Sequence, residues 1–421
     1  MSLVILAFAG TAGSAWAKGQ VDVITIAEPI TPVIAEYIIK CINEAEETDA
    51  ECLVVMLDTP GGLDLAMRDI IKKMLSSRVP VIVYVAPGGA RAASAGALIT
   101  IAAHVAAMAP GTNIGAAHPV NLGGGQMDKE MSAKVENDAA AYIESIAAKR
   151  GRNKEWAIKA VRESVSISET EALQIQVIDL VAADLTALLL AVDGRQVETD
   201  SGIKVLATEG VSITTKKMGI REQLLQALAN PSIAYILMML GLAGLYFELS
   251  NPGAIFPGVI GGISLILAFY SMQSLSANFA GVMLILLGAI LFILELKIVS
   301  YGLLSIGGIF CIFFGSLLLF DSPEPYMRIS LWLIAASVSL LTLFFIIILW
   351  LVVRTQQRKP TTGTEGMVDI IGKAATDIFQ DGKVFVHGEY WNARSSEQIM
   401  KGEQVRVIKL EGMLVTVKKE S

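Results

Sequence analysis

The sequence predicts three structural classes in succession: an α/β domain with a largely parallel sheet, a multi-span helical membrane region and a small all-β barrel. Short apolar runs alternate with amphipathic stretches in the first half of the chain, which is typical of βα units. Long apolar stretches with few charges follow, and most are long enough to cross a bilayer. The last segment alternates apolar and polar residues between glycine turns, which indicates short strands.

The composition supports this division. Hydrophobic residues make up 53% of the 421 residues and charged residues only 17%, which is typical of an integral membrane protein. The net charge of −7 argues against a nucleic-acid partner. Cys41, Cys52 and Cys311 form no disulfide framework and are expected to be free thiols. No Cys/His/Asp cluster has the spacing of metal ligands, so neither a metal nor another cofactor is expected.

Residues 1–17 are predicted to be a cleaved signal peptide. The segment is apolar and ends in Ala15-Trp16-Ala17, an A-x-A-type cleavage site. It lacks a basic n-region, and a short membrane anchor is the alternative. Cleavage there would export the next domain, residues 18–217.

Continuous apolar runs predict the strands of that domain. The predicted strands are Val21–Ile26, Leu53–Leu57, Pro80–Val85, Val105–Ala109 and Val177–Val181. The predicted helices between them are Pro32–Ala45, Leu63–Ser76, Ala95–Ala103, Asp128–Arg150 and Glu169–Gln174. Residues Ala187–Lys217 are expected to form a small appendage of short hairpins. The carboxyl ends of the parallel strands are the expected place for a site.

Two loops at those strand ends carry residues suited to acyl transfer. Asp58-Thr59-Pro60-Gly61-Gly62 follows one strand, and Ala92-Ala93-Ser94-Ala95-Gly96 leads from another loop into a helix. A serine at such a tight junction exposes its hydroxyl, so Ser94 is the candidate nucleophile. First-turn amides have no intrahelical partner, which makes the N–H of Ala95 a candidate oxyanion donor. The N–H of Gly62 is expected to be the second donor.

A serine nucleophile needs a base within hydrogen-bond reach, and the sequence offers two. His118 lies in NIGAAHP, and Lys134 lies on a predicted helix at the border of its apolar face. Burial lowers the pKa of a lysine and so supplies a neutral amine, which makes partial burial of Lys134 an expectation of the lysine mechanism. No carboxylate stands out as a partner of His118; Asp138 and Asp179 are weak candidates.

In this order, DTPGG, RAASAG and MAPGTNIGAAHP resemble the motifs of ClpP/crotonase-like serine peptidases. Over nearly its whole length the chain resembles the long-form NfeD membrane proteases. The resemblance implies a Ser/Lys dyad of Ser94 and Lys134, whereas His118 lies where ClpP carries its histidine. It also implies a stomatin/SPFH-type membrane partner, a peptide or protein substrate and a homo-oligomer.

Residues 360–421 resemble the NfeD soluble domain, an OB-type barrel. Tyr390 and Trp391 offer little surface for base stacking, so protein contact is the expected role. The expected function of the whole chain is a membrane-bound serine endopeptidase that cleaves apolar segments of membrane-associated proteins. The alternative is a catalytically silent scaffold that recruits its partner through the barrel. Acyl-CoA chemistry on the same fold is disfavoured by export and by the serine at the nucleophile position.

The membrane region, residues 233–353, is predicted to contain five spans. They are Ile233–Phe247, Gly253–Met272, Phe279–Leu296, Tyr301–Phe320 and Ile329–Val353. The first is short for a bilayer, and a re-entrant first segment would leave four. Five spans after an exported domain, with Arg354, Arg358 and Lys359 directly behind the last, predict a cytoplasmic barrel in a bacterial or archaeal cell membrane.

Overall fold

The computed structural model describes residues 19–120, 128–251, 253, 255–275, 277–295, 297–298, 300–320, 322, 327–356 and 364–420. The chain divides into two compact units, Met1–Ser339 and Leu340–Ser421. The predicted signal peptide lies outside the described residues, as do Arg358 and Lys359.

The first half of the chain alternates strands and helices, as predicted. Its strands are β1 Gln20–Ile26, β2 Cys52–Leu57, β3 Val81–Val85, β4 Arg91–Ala93, β5 Val105–Met108, β6 Asn113–Gly115, β7 Ser166–Ser168, β8 Leu180–Val181, β9 Gln196–Thr199, β10 Gly202–Val205 and β11 Ser212–Thr215. Its helices are α1 Pro32–Glu47, α2 Asp64–Leu75, α3 Ala95–Ala102, α4 Lys129–Lys149, α5 Lys154–Arg162, α6 Glu169–Gln174, α7 Leu185–Val192 and α8 Ile220–Leu228.

A six-stranded sheet forms the centre of this domain, in the order β11–β1–β2–β3–β5–β8. Every neighbouring pair in it is parallel, which confirms the predicted sheet type. Both faces are covered: Leu53 and Val55 belong to one apolar cluster, whereas Val54 and Tyr84 belong to another. Burial on both faces explains why β2 and β3 are continuous apolar runs.

The expectation that Ala187–Lys217 form a small appendage of hairpins is wrong in part. The β9–β10 hairpin is present, but β11 joins the edge of the main sheet beside β1, and α7 packs on the second face. All four residues of β11, Ser-Ile-Thr-Thr, are exposed. An edge strand of this kind has no apolar alternation for sequence reasoning to detect. The small sheet β4–β6–β7 and helix α5 were also not predicted.

In the described residues, five apolar helices follow, one at each of the five predicted segments. They are α9 Pro231–Ser250, α10 Ile255–Ser274, α11 Phe279–Glu295, α12 Leu303–Leu319 and α13 Leu331–Gln356. Three of them, α9, α10 and α13, are long and apolar enough to cross a bilayer.

The expectation of a short first segment is wrong. Helix α9 has 20 residues, because Pro231 starts it and the side chain of Asn230 caps its N-terminus. The shorter apolar helices are α11 and α12, with 17 residues each. At 1.5 Å per residue, each is about 25 Å long, against a hydrocarbon core of about 30 Å.

Close helix contacts at glycines hold the membrane helices in pairs. A Cβ at Gly261 on α10 would lie 3.0 Å from the Cα of Gly244 on α9. A Cβ at Gly288 on α11 would lie 2.7 Å from Cγ1 of Ile312 and 2.9 Å from the carbonyl oxygen of Gly308 on α12. Small residues let the backbones approach where the solvent supplies no hydrophobic driving force.

The second unit contains a closed five-stranded barrel, as predicted. After the short helix α14 Thr364–Met367, its strands are β12 Ile371–Ala374, β13 Gly382–Val386, β14 Glu389–Arg394, β15 Gln404–Glu411 and β16 Leu414–Lys419. They close in the order β12–β13–β14–β16–β15. Alternate residues of each strand fill the interior; among them are Val384, Val405, Val407, Val415 and Val417.

We expect Gly288→Ala to destabilise the α11–α12 pair by about 1–3 kcal/mol, because the added methyl group meets backbone that cannot rotate away. Thermal unfolding of the full chain in detergent measures the effect. The matched control is Gly262→Ala on α10, where an added Cβ meets nothing within 4 Å. Equal melting temperatures for the two variants would contradict the packing described here.

Candidate active site

Ser94 occupies a strained turn between β4 and α3. Its backbone has φ 51° and ψ −118°, a conformation that non-glycine residues rarely adopt. Its N–H donates to the carbonyl of Gly115 at 3.0 Å, and its side chain is half-buried. Such strain costs of the order of 1–3 kcal/mol and concentrates at functional sites. A serine on a sharp strand-to-helix turn is the arrangement of a nucleophile elbow.

Helix α3 touches the DTPGG loop in its first turn. A Cβ at Gly96 would lie 2.5 Å from Cγ2 of Thr59, so only glycine fits there without movement of Thr59. The hydroxyl of Thr59 in turn donates to the carbonyl of Gly61 and accepts from its N–H. Gly96 therefore allows helix α3 to approach the DTPGG loop closely.

Backbone pairing joins the same two loops. The N–H of Thr59 donates to the carbonyl of Arg91 at 2.8 Å, and the N–H of Ala93 donates to the carbonyl of Thr59 at 3.1 Å. The carboxylate of Asp58 accepts the N–H of Arg91 at 3.0 Å. The structure thus brings together the two loops that the sequence placed at one edge of the sheet. The sequence analysis did not identify this hydrogen bond of Asp58, although the position of an acidic residue directly after a strand could have indicated it.

Gly62 lies against Ile30 with no room for a side chain. A Cβ there would lie 2.3 Å from the carbonyl oxygen of Ile30. Ile30 bonds to both neighbours of Gly62: it donates to the Gly61 carbonyl and accepts from the N–H of Leu63. In a parallel bridge of this kind the N–H of the central residue points to the other side. The N–H of Gly62 is therefore directed away from Ile30, as an oxyanion donor requires.

Ala95 is the first residue of α3, and its N–H is one of the first-turn amides that a helix cannot satisfy internally. The side chain is buried, with 4% of its surface exposed. A helix N-terminus in a protected position stabilises negative charge.

Strand β6, in the motif MAPGTNIGAAHP, holds the turn of Ser94 in place. Strand β6 pairs in parallel with β4, with Gly115 opposite Ala93. A Cβ at Gly115 would lie 2.2 Å from the carbonyl oxygen of Val165, and Gly115 has φ 140°. His118, three residues after Gly115, is half-buried and contacts the carbonyl of Val161 through Nδ1 at 3.0 Å. Since a carbonyl only accepts, Nδ1 carries a proton there, and Nε2 of a neutral ring is an acceptor.

Lys134 lies on α4 and is exposed, so the partial burial expected for it is not found in the chain as described. Arg68 on α2 holds this helix: it pairs with Asp138 at 2.5 Å and lies over the ring of Tyr142 at 4.3 Å. Among the described residues, no hydrogen bond joins the hydroxyl of Ser94 to Lys134 or to His118.

The two weak acid candidates are paired with arginines away from His118. Asp138 bonds to Arg68. Asp179 accepts from Arg152 and Arg195 at 2.7 and 2.8 Å. Burial acts to raise the pKa of Asp179, but the positive charge of Arg152 and a hydrogen bond from a backbone N–H bring it below its usual value. Neither carboxylate is a hydrogen-bond partner of the His118 ring in the described residues.

Arginines cap the far end of α3. Arg150 donates to the carbonyl of Ala102 at 2.9 Å, and Arg152 donates to that of Ala103 at 2.8 Å. His104 follows directly and accepts the N–H of Val81 on Nδ1. Burial, with the charges of Arg150 and Arg152, lowers the pKa of His104 to about 3, so its ring is neutral and structural. Within the described ranges there is no His/Cys/Asp/Glu group that would hold a metal ion.

Family models match all three parts of the chain. Residues 20–214 match the model described as NfeD1b, N-terminal domain. Residues 232–351 match the NfeD integral membrane domain. Residues 363–419 match the NfeD-like C-terminal, partner-binding domain.

Relatives from an archaeon and a bacterium match the chain over its length. It is 33% identical to the membrane-bound protease PH1510 of Pyrococcus horikoshii, over 100% of this chain and 97% of that protein. It is 30% identical to the membrane protein NfeD1b of Bacillus subtilis, over 99% of this chain and 97% of that protein. Among solved structures, 1510-N from Pyrococcus horikoshii, a membrane protease specific for a stomatin homolog, matches 51% of this chain and 100% of its own, with 33% identity and a TM-score of 0.45.

We expect Gly96→Ala to lower the melting temperature and the reactivity of Ser94, because the new methyl group displaces Thr59. Adding Thr59→Ser should restore both, since it removes Cγ2 and keeps the hydroxyl that bonds to Gly61. Thermal unfolding and active-site labelling of the two single variants and the double variant measure the coupling. Additive losses in the double variant would contradict a direct contact.

The turn of Ser94 yields a second expectation. Ser94→Gly and Ser94→Ala both remove the hydroxyl, but only glycine adopts a positive φ without steric cost. The glycine variant should therefore be more stable than the alanine variant, by about 1 kcal/mol. Thermal unfolding of the purified chain compares them. An alanine variant of equal or higher stability would show that the turn relaxes.

Proposed function

The chain belongs to the NfeD family of membrane proteins, and we propose that it is a membrane-bound serine endopeptidase with Ser94 as its nucleophile. The observation that carries the proposal is the strained turn of Ser94, which directly precedes a buried helix N-terminus and lies beside the Gly61-Gly62 loop. The fold has no structural need for a serine at that φ, whereas a nucleophile beside oxyanion donors does need such a turn.

In the proposed mechanism the Ser94 hydroxyl attacks the peptide carbonyl while a base removes its proton. The N–H groups of Gly62 and Ala95 stabilise the oxyanion of the tetrahedral intermediate. The protonated base then gives its proton to the leaving amine, and an acyl-enzyme forms. Attack by water on the ester releases the second product and restores Ser94.

Lys134 is the base in this proposal. One support is that Lys134 lies where the resembling family carries its catalytic lysine. A second is that, among the described residues, no carboxylate bonds to the ring of His118, whose Nδ1 contacts a backbone carbonyl instead. A lysine base needs a desolvated amine, and Lys134 is exposed in the single chain. The proposal therefore requires that bound substrate or a neighbouring subunit covers Lys134, which fits the expected homo-oligomer.

The proposed substrate and partner class is a stomatin-type membrane protein with an apolar segment. Two comparisons support it: the C-terminal segment matches a partner-binding domain, and the solved relative with 33% identity is specific for a stomatin homolog. The proposed topology places residues 18–217 outside the cell, five helices in the membrane and residues 360–421 in the cytoplasm.

A silent scaffold is the second candidate function. The exposure of Lys134 and its lack of a hydrogen bond to Ser94 among the described residues favour it. In that case the barrel would recruit the partner and Ser94 would not react.

Variants at three positions separate these alternatives. Ser94→Ala should abolish hydrolysis of an apolar peptide and labelling by a fluorophosphonate. Lys134→Ala should lower the rate by a factor of the order of 10² or more, the usual effect of losing a general base, and His118→Ala should cost much less. Lys149→Ala removes an exposed lysine from the same helix and is the matched control.

Peptide assays with mass spectrometry of the labelled residue provide the readout. If His118→Ala is the more damaging change, a ClpP-like histidine base replaces the dyad. If the unmodified chain neither labels nor hydrolyses in the presence of its partner, the scaffold is the function.

A further inference from the structure

Helix α8 is attached to the α/β domain by one polar side. Glu222 pairs with Lys40 of α1 at 3.0 Å, and the Oε1 of Gln226 accepts a hydrogen bond from the hydroxyl of Thr31 at 3.0 Å. These residues are four apart and therefore lie one above the other on the helix. The polar side of α8 is thus fixed to α1 and to the residue that caps it.

The opposite side of α8 is apolar and uncovered. Ile220 is 78% exposed and Leu224 is 62% exposed. At about 100° per residue these two side chains lie close together on the helix surface, roughly opposite Glu222 and Gln226. No residue of α8 is buried. A water-exposed stripe of this kind on a docked helix is unfavourable unless something apolar covers it.

The position of α8 indicates what covers this stripe. Only Ala229 and Asn230 separate α8 from α9, the first helix of the membrane region. The carbonyl of Leu228 accepts a hydrogen bond from Ser271, close to the end of α10 at Ser274. The end of α8 therefore lies where α9 enters the bilayer and α10 leaves it. Lys217 and Arg221 are exposed beside the stripe, where lipid phosphates would lie.

We propose that α8 is an interfacial helix whose Ile220–Leu224 stripe inserts into the boundary between lipid headgroups and acyl chains. Its polar side stays on the α/β domain, so the helix lies between protein and lipid. Gln226 bonds to Thr31, and the adjacent Ile30 packs on Gly62. These contacts connect the bilayer surface to the Gly61-Gly62 loop. They would thereby fix the distance of that loop from the membrane. This last consequence rests on the proposed peptidase function, and the lipid contact does not.

Spin-label accessibility in the full chain tests the lipid contact without measuring activity. Single cysteines replace Ile220 or Leu224 in a Cys311→Ala background; Cys41 and Cys52 are buried and stay. The protein is reconstituted in phosphatidylcholine–phosphatidylglycerol vesicles, and collisions with oxygen and with a water-soluble nickel chelate are compared. Leu240→Cys, on an exposed position of α9, provides the lipid reference, and Glu209→Cys provides the aqueous reference.

Labels at 220 and 224 should collide more with oxygen than with the nickel chelate, as at Leu240 and unlike Glu209. Aqueous values at both positions would overturn the proposal. Spin–spin broadening that disappears on dilution with unlabelled chain would show that a second copy covers the stripe, and would overturn it as well. Neither result depends on hydrolysis by Ser94, so the peptidase proposal can fail or succeed separately.

Discussion

The contact between Gly96 and Thr59 is the constraint on which the candidate site depends. It brings the first turn of α3 against the loop that follows β2, and any side chain at position 96 would separate them. The pairing of Thr59 with β4 then fixes the chain directly before Ser94, and β6 fixes it from the other side. Three short backbone segments thus hold Ser94 in place without a large side chain, which is the rigidity that the proposed catalysis would require.

Among the described residues, side chains bond to the backbone carbonyls at the C-terminal end of helix α3 but not to the amides at its N-terminal end. All eight of its residues are buried, so its terminal backbone groups have little access to water. Arg150 and Arg152 bond to the carbonyls at the end of the helix, and the neutral ring of His104 adds no further charge. At the start, by contrast, no side chain in the described part of the chain caps the first amides of the helix, which follow Ser94. An uncapped N-terminus of a buried helix favours a bound anion, and the oxyanion of the proposed reaction would be such a group.

The sequence predicted those parts of the fold that depend on local pattern. The buried strands β2 and β3, the junction at Ser94 and the five apolar helices follow from apolar runs, glycines and length. Strand β11 could not be found, because an exposed edge strand of Ser-Ile-Thr-Thr has no apolar period and its pairing with β1 is non-local. Strands β4 and β6 have three residues each, and they are defined by non-local pairing with each other, with β7 and with Thr59, which local pattern does not reveal. The exposure of Lys134 depends on tertiary neighbours that helical spacing does not reveal.

That exposure has a mechanistic consequence if Lys134 is the base. A lysine amine becomes neutral when apolar atoms replace water around it, and the described residues leave Lys134 exposed. Met131, one turn before Lys134 on α4, is 52% exposed, and Leu65 on the neighbouring helix α2 is 77% exposed. Arg68 ties these two helices together through Asp138. Met131 and Lys134 are three residues apart and therefore neighbours on α4, so an apolar segment bound against Met131 would bring apolar atoms to Lys134. In that case the substrate itself would help to create the base. A peptidase of this design would be weak towards polar peptides even with Ser94 in place, because such peptides leave the lysine hydrated.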